Sequence, residues 1–168
     1  MYFLRCILQT DQQRELLMKF NKTKGLDVQY LTGIPGIDLQ HNELHKICNA
    51  ARKAAGDELP KDLLIHSVQE IIKVFKEHCY TEEYLMEMVE YPDSVIHKSQ
   101  HRKLITMFLN ELNKDEETDM HQIIRDIEKE ILAHIALFDR KYTTYIEDLI
   151  TYRNKFSITV LNARLLAG

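Results

Sequence analysis

His78-Cys-Tyr-Thr-Glu82-Glu-Tyr-Leu-Met-Glu-Met-Val-Glu-Tyr91-Pro-Asp-Ser-Val-Ile-His97-Lys-Ser-Gln-His101 is the stretch on which the fold turns. His78 and Glu82 are four residues apart, and so are His97 and His101. On α-helices each pair projects from one face and converges on one point. Tyr91-Pro92-Asp93 breaks the helical pattern and reverses the chain between the two pairs. A helical hairpin with His-x-x-x-Glu on one arm and His-x-x-x-His on the other is half of a binuclear metal site inside a helix bundle. The rest of the chain is expected to supply the other half.

The totals suit that expectation. A chain of 168 residues buries one good core and gives little room for a second domain. Charged residues make up 29% and hydrophobic ones 45%, with five glycines and three prolines, a composition of long helices joined by short loops. A net charge of -4 gives no electrostatic case for nucleic acid. Cys6, Cys48 and Cys79 form an odd set without Cys-x-x-Cys spacing, so neither a disulfide framework nor a zinc knuckle is expected, and a reducing cytoplasm is the simplest setting. Arg5 interrupts the apolar start, which makes a poor signal peptide, and no stretch approaches the roughly 20 apolar residues that span a bilayer.

Outward from the hairpin, the pattern predicts an all-α, up-down-up-down four-helix bundle with extra N-terminal and C-terminal helical segments. Residues 1–25 form the first extension, 26–150 the bundle, and 151–168 a tail packing on the bundle or on a partner. In the first extension Leu4, Ile7, Leu8, Leu16, Leu17 and Phe20 recur at roughly helical spacing. Leu26 to Ile37 reads as an extended arm ending in a turn, with Asp38 as N-cap of a first bundle helix running to about Ala55. Pro60 suits the first turn of a second helix reaching about Glu90. Asp93 or Ser94 caps a third helix whose apolar set is Val95, Ile96, Leu104, Phe108 and Leu112. After a charged loop from Asn113 to Thr118, a fourth helix starts near Asp119. It carries Ile123, Ile127, Ile131, His134, Phe138, Tyr142, Tyr145 and Leu149 at spacings of three and four.

The first helix offers His41, and the fourth offers His134 with Asp139 five residues on, which makes five imidazoles and two carboxylates. Here the sequence resembles the hemerythrin family, whose pattern is a first-helix histidine, His-x-x-x-Glu, His-x-x-x-His and His-x-x-x-x-Asp. The surrounding text is similar too: Ile37-Asp38-Leu39-Gln40-His41 with Asn49 behind it, Glu82-Glu83 and Leu85-Met86 after His78, Tyr91-Pro92 before His97, and Tyr142 after Asp139. The likeness runs from about Leu26 to about Ile146. Seven ligand types in order on four helices are specific, where a lone His-x-x-x-His would not be.

The resemblance implies two iron ions with an oxo or hydroxo bridge. His97, His101 and His134 would bind one iron and His41 and His78 the other, with Glu82 and Asp139 bridging both. Dioxygen would bind at the open position on the two-histidine iron, in a pocket whose apolar walls match Ile131 and Ile135. Independently of the name, imidazoles suit iron, and two carboxylates offset about half the charge of two divalent ions. Each imidazole is also expected to bond through its second nitrogen to an outer acceptor that the sequence does not identify.

Two positions depart from the family. Its usual tryptophan four residues before the fourth-helix histidine is Glu130 here, and its frequent aromatic four residues after the first-helix histidine is His45. Both can lie on the ligand side of their helices, or turn to solvent or to a partner charge. The leading expectation is therefore reversible dioxygen binding for carriage, storage or sensing. The alternative is a di-iron oxidase or peroxidase acting on dioxygen, peroxide or nitric oxide, with Glu130 or His45 as proton donors. Zinc at His97 and His101 is a weaker rival, because Lys-Ser-Gln between them lacks the glutamate of a zinc-protease helix. His66 and His121 read as ordinary surface or core histidines, and Cys79 as a small packing residue. Burial of the apolar residues in the two extensions predicts that they pack together or form a homodimer contact.

Overall fold

The structure, a computed structural model, describes residues 27–113 and 119–152. The expected N-terminal helix, the charged loop after Asn113, the C-terminal tail and Cys6 lie outside the described residues. Those described are all-helical, without a strand. Among the described residues a 3-10 turn, Val28–Tyr30, precedes four helices: α1 (Pro35–Gly56), α2 (Lys61–Met88), α3 (Ser94–Leu112) and α4 (Met120–His134). Beyond α4 the chain makes one π-helical turn, Ile135–Asp139, and resumes α-helix over residues 140–152. α1 packs on α2 and α4, α2 on α3 and α4, and α3 on α4. Among the described residues no helix is long and apolar enough to cross a membrane.

The first helix begins earlier than expected, because Pro35 has no amide hydrogen to lose and its fixed φ suits the first helical position. Ile34, not Asp38, stands at the N-cap and makes no side-chain cap. The Asp38 carboxylate turns back to the preceding loop, accepting from the Thr32 amide at 2.7 Å, the Thr32 hydroxyl at 2.8 Å and the Gly33 amide at 3.1 Å. That holds a tight turn in which Gly33 adopts φ +84°. Asp93 occupies the N-cap of α3 but likewise makes no cap hydrogen bond, since its carboxylate pairs with Lys141. Asp119 does cap α4, accepting from His121 and Gln122 amides at 2.9 and 3.3 Å.

Helices α1 and α2 end alike. The amides of Glu58 and Leu59 reach back to Ala55 and Ala54, and those of Glu90 and Tyr91 to Glu87 and Met86. In each case a glutamate takes the left-handed conformation usually filled by glycine, with φ of 54° at Glu58 and 53° at Glu90. Tyr91, just beyond, is buried, and its ring meets Tyr142 and Tyr145 with centroids 6.0 and 5.3 Å away. The hairpin turn is thus pinned to the last helical segment.

Two apolar clusters make up the core. The larger holds Leu44, Phe75, Leu104, Phe108, Ile127, Ile131 and Ile135 with their neighbours. The smaller holds Ile34, Ile37, Leu85, Met86, Tyr91, Tyr142 and Ile146. Along the chain His41 falls between Ile37 and Leu44, Glu82 between Cys79 and Leu85, His97 and His101 between Tyr91 and Leu104, and Asp139 between Ile135 and Tyr142, where one cluster gives way to the other, while His78 and His134 are flanked by the larger cluster alone. Val95 and Ile96, expected in the core, are instead exposed at the start of α3, in the turn that emerges from the hairpin. On the last helical stretch the buried set is Asp139, Tyr142, Thr143 and Ile146, whereas Phe138, Tyr145 and Leu149 are only half-buried. Beyond the π turn Tyr142 keeps its expected place in the core, while Phe138 and Tyr145 each give way to the next residue, Asp139 and Ile146.

Candidate metal centre

Each side chain of the centre arrives by simple helix geometry, save one. His78 and Glu82 are one turn apart on α2, and His97 and His101 one turn apart on α3, so each pair shares a face. His41 comes from the second turn of α1 and His134 from the last residue of α4. Asp139 is carried round by the π turn, in which the Arg140 amide bonds the carbonyl of Ile135, five residues back.

All seven are buried, with His41, Glu82, His101 and Asp139 wholly inaccessible. Their ligand atoms form two groups, each with all members within 4.8 Å of one another. One is Glu82, His97, His101, His134 and Asp139, and the other is His41, His78, Glu82 and Asp139. The two carboxylates belong to both. The Nε2 atoms face inward: from Asp139 carboxylate oxygens, His134 is 3.0 Å away, His97 3.1 Å, His41 3.2 Å and His78 3.5 Å. From Glu82 Oε2, His101 is 3.3 Å away, His97 3.4 Å and His78 3.5 Å. Two donors each about 2.1 Å from one cation are about 3.0 Å apart at a right angle and about 3.4 Å apart at a tetrahedral angle. The donor spacing therefore fits first-row metal ions.

The hydrogen-bond pattern points the same way. Among the described residues, both Glu82 oxygens, Asp139 Oδ1 and the Nε2 atoms of His78 and His101 are buried with no hydrogen-bond partner. A buried carboxylate without donors is costly unless a cation answers it. In the protein without metal the imidazoles take that part. Burial pushes Asp139 up, but His134, His41 and His78 outweigh it and hold the carboxyl well below its usual range. Burial and the Asp139 charge push Glu82 up, and His78, His101 and His97 more than reverse this. Conversely, burial lowers His97, yet the adjacent carboxylates of Asp139 and Glu82 raise it to about 9. His78 also rises against burial, through Glu82 and Asp139.

Several partners carry no obvious mark in the sequence. His78 Nδ1 lies 3.3 Å from Gln40 Oε1 and His101 Nδ1 3.0 Å from Glu83 Oε1, whereas, against the expectation for every imidazole, the Nδ1 atoms of His41, His97 and His134 are buried without a partner among the described residues. The available signal is adjacency, since Gln40 precedes ligand His41 and Glu83 follows ligand Glu82. Phe75 forms a floor, its ring 6.0 to 6.4 Å from those of His78, His101 and His134 and 5.5 Å from Phe108. Phe138 stacks on His134 at 5.3 Å. Tyr142 lies 5.6 Å from the His97 ring, its hydroxyl buried without a partner among the described residues. Burial, reinforced by Glu82, Asp139 and Asp38, pushes that phenol well above its usual range.

Ile131 and Ile135 are buried beside His134. Glu130 and His45 belong to neither ligand group. Glu130 is half-buried, while His45 Nε2 is 2.8 Å from the Asn49 side-chain amide and its Nδ1 3.9 Å from Glu128. His66 is exposed and pairs with Gln69, and His121 is half-buried at the start of α4. Cys48 and Cys79 are buried free thiols, with Cys48 pushed up to about 12, chiefly by burial. Both behave as packing residues. Compared with known protein families, curated proteins and solved structures, the chain matches no family model, no curated protein and no solved structure.

Proposed function

We propose that this chain is a non-haem di-iron protein of the hemerythrin type that binds dioxygen reversibly, for carriage, storage or sensing. The observation that carries the reading is the sharing of Glu82 and Asp139 between a three-histidine and a two-histidine group, both carboxylates buried. A single cation leaves such a pair of groups half used. Two cations would be held by His97, His101 and His134 on one side and His41 and His78 on the other, with Glu82 and Asp139 within reach of both. When bound, two irons supply reversible two-electron chemistry toward dioxygen. The chain's part is to orient the imidazoles, bridge the ions and exclude bulk water with Ile131, Ile135, Phe75 and Phe138. The two-histidine group has fewer protein donors, which suits it to an incoming small ligand.

An up-down-up-down bundle belongs to the same proposal. Along α1 the chain passes from the smaller apolar cluster (Ile37) to the larger (Leu44). Along α2 it passes from Phe75 in the larger to Met86 in the smaller, then from Tyr91 of the smaller at the hairpin to Leu104 and Phe108 of the larger on α3, and from Ile127 of the larger on α4 to Tyr142 of the smaller beyond the π turn. Alternating order supports antiparallel neighbours.

Carriage is favoured over an oxidase or peroxidase because His45, one of the two candidate proton donors, is engaged by Asn49 and faces Glu128. The test is anaerobic loading with ferrous iron, metal analysis, and absorption spectra before oxygen, after oxygen and after its removal. About two irons per chain and a spectrum that returns to its starting form support the proposal. One tightly held zinc with no oxygen-dependent colour would sink it, and steady oxygen consumption would favour the enzyme.

A further inference from the structure

The two ligand groups are backed by different chemistry. In the three-histidine group, His101 Nδ1 meets a carboxylate, Glu83 Oε1, at 3.0 Å. In the two-histidine group, His78 Nδ1 meets a neutral amide, Gln40 Oε1, at 3.3 Å. Gln40 is itself held, its amide donating to the Thr81 hydroxyl at 3.0 Å, and that hydroxyl donating to the Glu77 carbonyl at 3.0 Å. Because Gln40 nitrogen and Thr81 hydrogen are both committed, Gln40 presents its oxygen to His78, which must donate from Nδ1 and keep its Nε2 lone pair for the centre.

An imidazole bonded outward to an anion is a stronger donor at its inner nitrogen than one bonded to an amide. Glu82 and Asp139 serve both groups and cannot tell them apart. What differs is the histidine count and the one outer partner in each group, at His101 and at His78, since the Nδ1 atoms of His41, His97 and His134 have none among the described residues, and both differences favour the same group. We infer that the centre loads in a fixed order. The position of His97, His101 and His134 fills first and holds its metal more tightly, and the position of His41 and His78 fills second and releases first. Glu83 and Gln40 are the positioning residues that set the gap. This rests on the binuclear reading above and adds an order to it.

The probe is ferrous iron alone, added anaerobically to the stripped full-length protein and then withdrawn with a ferrous-specific chelator. The wild-type protein should show two steps of about one iron each. Glu83→Gln should weaken the tighter step by roughly 10- to 100-fold and leave the looser one within about threefold. Gln40→Glu should tighten the looser step and draw the two together. A general loss of structure would move both steps at once, and the helical circular dichroism of each stripped variant identifies it. Two irons binding in one step, or either variant shifting both steps equally, would overturn the loading order while leaving the binuclear reading intact. One iron per chain, or none, would overturn both.

Discussion

His134 Nε2 and Asp139 Oδ1 lie 3.0 Å apart although five residues separate them. On a regular α-helix that separation turns through about 500° and leaves the side chains about 140° apart. The π turn over Ile135–Asp139 closes the difference, and with it the second shared carboxylate enters the centre.

Shared and unshared ligands should fail differently. Asp139→Ala and Glu82→Ala remove a donor from both groups, so iron content should fall from about two per chain to well below one. His41→Ala touches the two-histidine group alone and should leave about one iron behind. Metal analysis on the three variants checks this, and equal losses in all three would contradict the sharing.

Stability of the metal-free protein should have a pH window. His97 is raised from 6.5 to about 9, so its contribution is complete below about 6.5 and is lost as pH rises through about 9. Asp139 is held well below the carboxylate range, so its contribution is present above about 4 and is lost as pH falls into the folded value. The stripped protein should therefore melt highest between about pH 4 and 6.5. Bound iron needs neutral imidazoles, so the loaded protein should gain relative stability above that window. Thermal melts with and without iron across pH give the comparison, and parallel curves would count against these histidines as ligands.

Phe75 is fully buried beneath three imidazoles and against Phe108. Phe75→Ala should cost about 3–5 kcal/mol in urea unfolding of the stripped protein, because the transfer term and the cavity add. Phe75→Leu should cost a fraction of that and retain iron.

Glu58 and Glu90 hold left-handed backbone that a side chain disfavours. Glu58→Gly and Glu90→Gly should each stabilise by about 0.5–1 kcal/mol, the relief of the left-handed strain less the added freedom of the unfolded chain. Chemical denaturation measures it, with iron content unchanged.

Much of this architecture was legible in residue spacing. Pairs four apart, as at His78 and Glu82 or His97 and His101, state their own geometry on a helix, and Pro60 and Tyr91-Pro92 mark the breaks around α2. What escaped was whatever depends on a partner far along the chain. Asp38 and Asp93 look like caps, but the Thr32–Gly33 loop and Lys141 claim their carboxylates. Val95 and Ile96 look like core, yet the hairpin leaves them outside. The π turn had left a trace. After His134 the next candidate ligand comes at Asp139, five residues on, a delay of one residue beyond the three or four that bring side chains to one face of an even α-helix. A stripe drawn through Phe138, Tyr145 and Leu149 smooths that delay away.

Anyone copying this centre into a designed scaffold inherits a constraint from that delay. Ideal bundles are drawn with helices of one uniform pitch. On such a frame six of the seven donors keep their native spacing, and Asp139 swings about 140° from His134 toward the outside. A blueprint that accepts all seven must be lopsided from the start. Its fourth rod needs one more residue between layers than the other three, and the stagger has to be repaid in the register of every apolar layer beyond it.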